Sequence, residues 1–502
     1  MADLLLQAAV GVLSPGTLIF LFAGVLVGLV FGVIPGLGGT TALALLLPLT
    51  YGMEVSHAFA MAGGIMGAIA MGGSISAILL NAPGTGPSAA TCLDGHPLAK
   101  QGRAADAIGA VATASPLGGL FGVLTLLIVL PMARDIVLLF GPPEFFLVAV
   151  FGIVTVAISS SRNLLRGLVA GGIGLMLSFV GYDTVHGGVR YTFGSDYLWD
   201  GIPLIPSLVG LFGMAEMIRL SIEGGTVAAD ASAVKLDGVW AGVRATLRHW
   251  KVVIRGSITG TLIGAIPGVG GTVATFIAYS ATKKADRDPD SFGTGRIEGI
   301  VAPESANNAK DSGALLPTLA FGIPGSAEMA VFLGILMLHG LQPGPTIFAD
   351  HEQDIYSLIF ALTLSAVLAS IIGISCVRWL AAITLVKGQI LAPIVIAVSL
   401  VGVYAINLTP GDVVLAAVIG VLGYLMLRFN YPRLPLVIAL ILGETAERGF
   451  QQSMMIGRGD LSIFLHSITS ITLVVLILLS LTWSFVPLLR KRFAARISGD
   501  VS

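Results

Sequence analysis

Charged residues are scarce in this chain of 502 residues. Aspartate, glutamate, lysine and arginine make up 11% of it, whereas a soluble globular protein carries about 25%. The charge-free runs between Asp3 and Glu54 and between Asp460 and Arg490 exceed the roughly 18 apolar residues that span a bilayer as a helix. The chain is therefore predicted to be an all-α, polytopic integral membrane protein held in a lipid bilayer. The same composition excludes disorder, collagen and nucleic-acid binding.

Cysteine is also rare, and Cys92 and Cys376 give neither a disulfide framework nor a metal-ligand spacing. The sequence lacks Walker A, H-E-x-x-H and G-x-S-x-G motifs, which argues against ATP hydrolysis, zinc-dependent proteolysis and serine-hydrolase chemistry. Residues 457–460 and 182–183 fit the G-x-G-D and Y-D patterns of intramembrane aspartyl proteases. Such short patterns recur by chance, and the companion Pro-Ala-Leu element is missing. No catalytic residue and no organic cofactor is predicted, and the chain is interpreted as a non-enzyme.

Glycine, by contrast, is abundant. The 65 glycines are about twice the number that an average usage of roughly 7% would give. Residues 31–46 and 263–278 are identical at eight of sixteen positions without gaps, and both contain Ile-Pro-Gly-x-Gly-Gly-Thr. A weaker correspondence relates residues 81–86 to residues 321–326, each with a Pro-Gly pair. Interruptions at corresponding places in two halves are typical of the binding sites of transporters with internal repeats.

These patterns divide the chain into four regions: a first transmembrane repeat (residues 1–222), a polar linker (223–255), a second repeat (256–445), and a C-terminal span with a basic tail (446–502). About twelve transmembrane helices are predicted, with broken helices or re-entrant hairpins at the Pro-Gly segments. Inverted repeats are the commoner arrangement in broken-helix transporters and are expected here, while parallel repeats stay an alternative. The basic linker and tail are expected on the cytoplasmic side by the positive-inside rule.

The Pro-Gly segments contain most of the candidate binding residues. Proline ends a helix, glycine permits positive φ and close approach, and a following threonine can cap the next helix. The exposed N–H groups of a helix start suit a carboxylate, and unwound carbonyls can hold Na⁺. The alternative is a packing kink at a helix crossing. The residues predicted to bind substrate or an ion are Pro35, Gly36, Gly38, Gly39, Thr40, Thr41, Asn81, Gly84, Thr85, Gly86, Ser88, Pro267, Gly268, Gly270, Gly271, Thr272, Asn307, Asn308, Pro324, Gly325 and Ser326.

Asn307 and Asn308 belong to a polar segment, residues 303–311, which precedes an apolar run. They could provide carbonyl and amide groups at a helix end, or the segment could be a solvated loop with a cap. Glu304 and Lys310 could pair across one helix. Glu328 follows the second-half Pro-Gly segment, where an ionisable residue suggests a functional site. The Pro-Gly segments themselves contain no lysine or arginine. Hydroxyl and backbone N–H groups are therefore expected to bind the anion, because a buried basic side chain would be costly.

Six segments resemble the large membrane subunit (TctA) of the bacterial tripartite tricarboxylate transporters: residues 32–40, 81–86, 93–98, 298–308, 321–326 and 338–344. The resemblance extends over roughly residues 17–445 and implies a secondary transporter of the bacterial inner membrane. Such a transporter imports a small carboxylate, a tricarboxylate such as citrate or a related di- or monocarboxylate, and is driven by a cation gradient. The implied coupling ion is Na⁺ or H⁺, and Na⁺ at the same loops has no assigned ligands.

The same resemblance implies two protein partners, a small membrane subunit with four spans (TctB-like) and a periplasmic solute-binding protein (TctC-like). A passive anion channel and a membrane enzyme remain alternatives to a carrier. A carrier must be saturable and coupled to an ion, so uptake measured with and without a cation gradient separates these classes.

Overall fold

The structure is a computed structural model that describes residues 2–159, 164–183, 187–223, 238–383 and 388–482. In these ranges the chain is helical apart from loops and one two-stranded antiparallel hairpin, β1 (Gly181–Asp183) with β2 (Gly188–Arg190). The predicted all-α class is confirmed. The helices in chain order are α1 (Ala2–Val12), α2 (Pro15–Val33), α3 (Gly38–Leu46), α4 (Val55–Leu80), α5 (Ala89–Leu98), α6 (Ala104–Val137), α7 (Pro142–Ser159), α8 (Leu164–Ser178), α9 (Leu204–Leu208), α10 (Ala215–Glu223), α11 (Val239–Arg248), α12 (Trp250–Gly264), α13 (Gly270–Ala285), α14 (Glu298–Phe321), α15 (Ala327–Leu338), α16 (Pro345–Asp350), α17 (Glu352–Ser375), α18 (Val377–Ile383), α19 (Gly388–Asn407), α20 (Pro410–Arg428), α21 (Arg433–Ile456) and α22 (Ile468–Thr482).

Several of these helices have the length and apolar composition of a membrane span. In the described ranges seven helical stretches qualify: Pro15–Val33, Val55–Leu80, Ala89–Ala133, Pro142–Ser159, Leu204–Ile222, Glu352–Ser375 and Pro410–Arg428. Shorter apolar helices, among them α3, α15 and α22, fall below the roughly 20 residues that a full crossing needs. The chain thus has the helices of a multi-pass membrane protein, and the count of about twelve spans stays a prediction. The basic tail predicted to be cytoplasmic lies outside the described residues.

The chain divides into two compact units. Unit 1 comprises residues 1–134, 205–320 and 324–425, and unit 2 comprises residues 135–204, 321–323 and 426–502. In unit 2, α21 packs against α7 and α8. The hairpin residue Arg190 places two nitrogens 2.6 and 2.9 Å from the two carboxylate oxygens of Glu447. These hydrogen bonds raise the pKa of the Arg190 guanidinium above its usual value.

In unit 1, α2 and α4 approach each other closely through glycines spaced four residues apart. A Cβ atom on Gly28 would lie 2.6 Å from the carbonyl oxygen of Ile65, and one on Gly32 would lie 2.6 Å from that of Ile69. Glycine at these positions lets the two backbones touch. Close backbone approach of this kind stabilises helix pairs in lipid, where apolar burial between helices gains little.

The same glycine spacing recurs on α12, just before the second Ile-Pro-Gly segment. Cβ atoms at these glycines would overlap or crowd the backbone of α14. The facing pairs are Gly256 with Ala302, Gly260 with Ala306, and Gly264 with Lys310. One face of α14, with residues four apart, therefore lies directly on α12, and Lys310 is the last member of that face.

Candidate functional site

The two Ile-Pro-Gly-x-Gly-Gly-Thr segments form tight loops, one between α2 and α3 and one between α12 and α13. Gly36 and Gly38 have φ values of 88° and 64°, and Gly268 and Gly270 have values of 74° and 77°. L-residues with a side chain are strained at such angles. The backbone therefore favours glycine at these four positions, and both segments interrupt the helices as predicted.

The threonines that follow these loops do not cap the new helices. Thr40 and Thr272 lie in the first turns of α3 and α13, and the N-cap residues are Leu37 and Val269, which make no side-chain cap. The predicted threonine caps are wrong, because each helix already begins at the preceding glycine pair. The first N–H groups of both helices therefore receive no bond from an N-cap side chain. These starts keep the partial positive charge of a helix N-terminus.

The second pair of Pro-Gly loops, residues 81–88 and 324–326, packs against the first pair. A Cβ atom on Gly84 would overlap the carbonyl oxygen of Gly32, and one on Gly325 would lie 2.6 Å from that of Gly264. The Gly268 N–H also donates to the Gly325 carbonyl at 3.2 Å. In each half, the second loop thus lies on the end of the helix that leads into the first loop.

The loops of the two halves also meet each other. A Cβ atom on Gly86 would lie 2.6 Å from Thr272 Oγ1, which joins a first-half loop to a second-half helix start. A Cβ atom on Gly39 would lie 2.6 Å from Glu328 Oε1, which joins α3 to α15. The predicted loop residues therefore come together at one place in unit 1.

Lys310 is the centre of an ion cluster at this place, together with the buried Asp311 and the partly buried Glu328. Its Nζ lies 2.6 Å from Asp311 Oδ1 and 3.5 Å from Glu328 Oε2, and Lys310 is only 4% exposed. A Cβ atom on Gly271 would overlap the Lys310 side chain. The Pro-Gly segments contain no basic residue, but Lys310 of α14 places a buried ammonium beside them, and two carboxylates offset the cost of its burial.

Glu304 does not pair with Lys310, and that prediction is wrong. The two residues are six positions apart, so they project from different faces of α14. Glu304 is fully buried. Its Oε1 accepts hydrogen bonds from Ser74 Oγ at 2.6 Å and from Thr91 Oγ1, while its Oε2 has no hydrogen-bond partner among the described residues. The Glu304 carboxylate thus accepts its hydrogen bonds from α4 and α5 and does not belong to the ion cluster.

Two predicted hydroxyls lie next to this carboxylate. Thr85 Oγ1 and Ser88 Oγ are 2.8 Å apart, and Ser88 Oγ is 3.5 Å from Ser74 Oγ. The loop at residues 81–88 is therefore connected to Glu304 by neighbouring hydroxyl groups. Sequence reasoning found the loop hydroxyls but missed Ser74, inside the apolar α4, and Thr91, in the first turn of α5.

Asn307 and Asn308 lie within α14, since the helix runs unbroken from Glu298 to Phe321. They are 3% and 5% exposed, so the solvated-loop alternative is wrong. In the part of the chain that the structure describes, the buried atoms Asn307 Nδ2 and Asn308 Oδ1 have no hydrogen-bond partner. Asn308 lines a small cavity of about 10 Å³ together with Asp311, Ser312, Gly67 and Gly119. Within the described residues, no group of three histidine, cysteine or acidic side chains could hold a metal ion.

Other predicted residues have local backbone roles. Ser326 caps α15 by accepting a bond from the Met329 N–H at 3.3 Å, and Asn81 ends α4 with a left-handed φ of 54°. Thr41 is buried within α3. Pro35, Pro267 and Pro324 lie in the loops between helices.

A second basic residue was also missed. Arg219 Nη2 lies 3.3 Å from the carbonyl oxygen of Gly36 and 2.5 Å from Glu216 Oε1. Arg219 belongs to α10, far from Gly36 in sequence. Only the tertiary fold brings this guanidinium to the first loop.

Comparison with known proteins agrees with the resemblance seen in the sequence. The model of the tripartite tricarboxylate transporter TctA family matches residues 18–438. One similar protein is the "Uncharacterized 52.8 kDa protein in TAR-I ttuC' 3'region" of Agrobacterium vitis, which is 33% identical over 497 residues, or 98% of each chain. Another is the "Uncharacterized protein in TAR-II ttuC' 3'region" of the same organism, 32% identical over 234 residues, or 46% of this chain and 96% of the relative. No solved structure matches.

Proposed function

Because the chain belongs to the tripartite tricarboxylate transporter TctA family, we propose that it is the large transmembrane subunit of a secondary transporter that imports a small carboxylate. The substrate is a tricarboxylate such as citrate or a related di- or monocarboxylate. Uptake is driven by a Na⁺ or H⁺ gradient across the bacterial inner membrane. The observation that carries the proposal is the meeting of the glycine loops around the buried Lys310 ammonium.

The loops and Lys310 together offer what a carboxylate needs. The uncapped first-turn N–H groups of α3 and α13 supply donors and partial positive charge. The Lys310 ammonium supplies a full charge, and a charge-assisted bond to a carboxylate is about twice as strong as a neutral one. Asp311 and Glu328 contact this ammonium in the structure. A substrate carboxylate would take the place of one of them.

Release of the substrate requires a second conformation of the two repeated halves. The glycine spacing on α2 and α12 and the positive φ values of Gly36, Gly38, Gly268 and Gly270 support two repeated halves with one loop pair each. In transporters of that kind, one half rocks against the other around a site near the membrane midplane. We expect the same alternation here, with the repeats inverted.

Two further proteins complete the proposed transporter. A TctB-like subunit with four spans would share the membrane with this chain, and a periplasmic TctC-like protein would deliver the carboxylate. Family membership supports an assembly of several subunits. It supports these two classes of partner, and co-purification with the chain would identify the individual proteins.

Reconstitution tests this function. The complex in proteoliposomes, supplied with carboxylate-loaded binding protein, should show saturable uptake that rises at least tenfold when an inward Na⁺ or H⁺ gradient is imposed. Lys310→Gln should lose this uptake, and Lys284→Gln, which alters an exposed lysine of α13, should keep it. Uptake that is linear in concentration and indifferent to both gradients would indicate a passive channel and overturn the proposal.

A further inference from the structure

We propose that residues 238–255 in unit 1 bind the headgroup of an anionic phospholipid at the membrane surface. The segment comprises α11 and the first turns of α12, and one side of α11 rests on α6. A Cβ atom on Gly242 would overlap the carbonyl oxygen of Asp106. Thr246, four positions further on and thus on the same side, donates from Oγ1 to the Ala110 carbonyl at 3.4 Å. The opposite side of α11 is exposed.

Large apolar side chains occur on the exposed side of this segment. Trp240 is 74% exposed, and Leu247 and Trp250 are each 55% exposed. Trp240 and Leu247 are seven positions apart, so they lie on one stripe of α11. Tryptophan is enriched where lipid headgroups meet acyl chains, because its ring is apolar and its N–H is polar. These side chains therefore favour a position at the surface of the bilayer.

Four basic residues accompany the apolar side chains. They form two exposed pairs with a spacing of four residues, Arg244 with Arg248 and Lys251 with Arg255. The Cβ atoms of such a pair are about 5–6 Å apart, and like charges at this spacing repel each other. The sequence contains no aspartate or glutamate from residue 238 to residue 285. An anion that binds between the members of a pair would remove this repulsion.

The carboxylates beside the segment have other basic partners. Asp106, in the part of α6 that contacts α11, lies 2.7 Å from an Arg103 nitrogen. Glu298 lies 3.6 Å from His249, but it is closer to Arg296, at 3.0 Å. The basic pairs thus form a surface of positive charge that is open to an external anion.

The exposed side of α12 indicates where the acyl layer begins. After Lys251 and Arg255 the same side continues with Ile258 and Leu262, which are 43% and 64% exposed. The next charged residue in the sequence is Lys283. A helix side that changes from basic to apolar within one turn is typical of a helix that enters the bilayer from the headgroup layer.

A phospholipid matches this surface better than a soluble anion or an acidic protein. Its phosphate accepts paired hydrogen bonds from arginine, and its acyl chains cover the tryptophans and the apolar side of α12. A soluble anion covers neither, and an acidic protein surface offers carboxylates without the acyl layer. Basic amphipathic helices bind anionic lipids through this combination of charge and apolar area. The bound lipid should stabilise the start of α12, and thereby its contact with α14.

Lipid binding is measured on the purified full-length chain in detergent. Phosphatidylglycerol or phosphatidylcholine with identical acyl chains is added, bound lipids are counted by native mass spectrometry, and the thermal unfolding temperature is recorded. Phosphatidylglycerol should bind at least tenfold more tightly and raise the unfolding temperature more. Salt at 1 M, where the Debye length is about 3 Å, should reduce this preference. Glycerol 3-phosphate, which has the charge without acyl chains, should not stabilise the chain.

Two double variants locate the site. Arg244→Gln with Arg248→Gln, and Lys251→Gln with Arg255→Gln, each remove one basic pair. Each should lower the affinity for phosphatidylglycerol at least fivefold and leave that for phosphatidylcholine unchanged. These side chains are exposed, and glutamine is a good helix former, so both variants should fold.

Two further variants separate charge from apolar contact. Trp240→Ser should weaken the binding of both lipids to a similar extent, because it removes apolar area alone. Lys283→Gln with Lys284→Gln is the matched control for charge. It removes two lysines at the end of α13, where Asp286 follows in the sequence. This control should change the affinity for phosphatidylglycerol less than twofold.

Several results would overturn the lipid site. Equal binding of the two lipids by the wild type would do so without any variant, and so would an equal loss of affinity in the control. Stabilisation by glycerol 3-phosphate that matches phosphatidylglycerol would indicate a soluble-anion site instead. A membrane partner that co-purifies with the wild type and is lost from both double variants, while their lipid preference persists, would assign the surface to that partner. The carrier function is tested separately, because none of these measurements uses a carboxylate substrate.

Discussion

Removal of the Lys310 ammonium should separate the structural role of the ion cluster from its role in transport. The substitution Lys310→Met leaves the buried Asp311 carboxylate and the partly buried Glu328 carboxylate without the ammonium that now lies 2.6 and 3.5 Å from them. Breaking a buried ion pair costs about 3–5 kcal/mol, a large part of the roughly 5–15 kcal/mol that keeps a domain folded. We expect a clearly lower thermal unfolding temperature for the purified variant.

A second substitution repairs the charge and leaves the ammonium missing. Lys310→Met with Asp311→Asn returns the cluster to its native net charge of −1, so it should recover more than half of the lost stability. Uptake into proteoliposomes should stay at least tenfold below wild type in both variants, because no ammonium is available to the substrate. Lys284→Met controls for the loss of a lysine at an exposed position. Wild-type uptake by the double variant would refute the reasoning, since Lys310 would then have a structural role alone.

Three further predictions follow from other parts of the chain, and the first compares two glycine substitutions. Gly84→Ala should lower the amount of folded protein measured by fluorescence size-exclusion chromatography, because its methyl group would overlap an α2 carbonyl. A methyl group on Gly38 would have no atom of the described residues within 4 Å. Gly38→Ala should therefore cost only the roughly 1–2 kcal/mol of strain that a left-handed φ imposes on alanine, and it should fold better than the Gly84 variant. Arg190→Lys should lower the unfolding temperature, since lysine cannot make both bonds to Glu447 and forfeits about 1 kcal/mol; an unchanged temperature would contradict this. Cysteines introduced at residues 244–255 should resist an impermeant reagent applied from outside the inner membrane, and their labelling would reverse the predicted orientation.

The loops could be predicted from the sequence because their cause is local. Proline and closely spaced glycines determine where a helix ends and where φ becomes positive, so residues 35–39 and 267–271 identify both breaks without any tertiary information. The two matching copies also indicated that the breaks belong to one site. The threonine caps were predicted wrongly, because the first helical residue depends on whether the glycine pair itself is helical.

The ion cluster could not be predicted in the same way, because α14 looks like a loop in the sequence. Its polar residues from Glu304 to Asp311 interrupt the apolar pattern that indicates a membrane helix. The fold buries them instead among α4, α12 and the loops. The glycine spacing on α12 contained a usable signal, since glycines four residues apart predict a close partner helix with small residues at the same spacing. Ala302 and Ala306 satisfy that condition, and Lys310 follows on the same face.

The central claim is that a carboxylate binds where the loops of the two halves meet, and protection of Thr272 from labelling tests it most directly. Thr272 is exposed and lies against the Gly86 backbone, so Thr272→Cys, with Cys92 and Cys376 replaced by serine, offers one thiol at the site. A transported carboxylate with its coupling cation should slow maleimide labelling of this thiol at least threefold. It should leave unchanged the labelling of Ser375→Cys, an exposed position at the end of α17. Equal labelling of Thr272→Cys with and without the carboxylate, in protein that transports it, would contradict the claim.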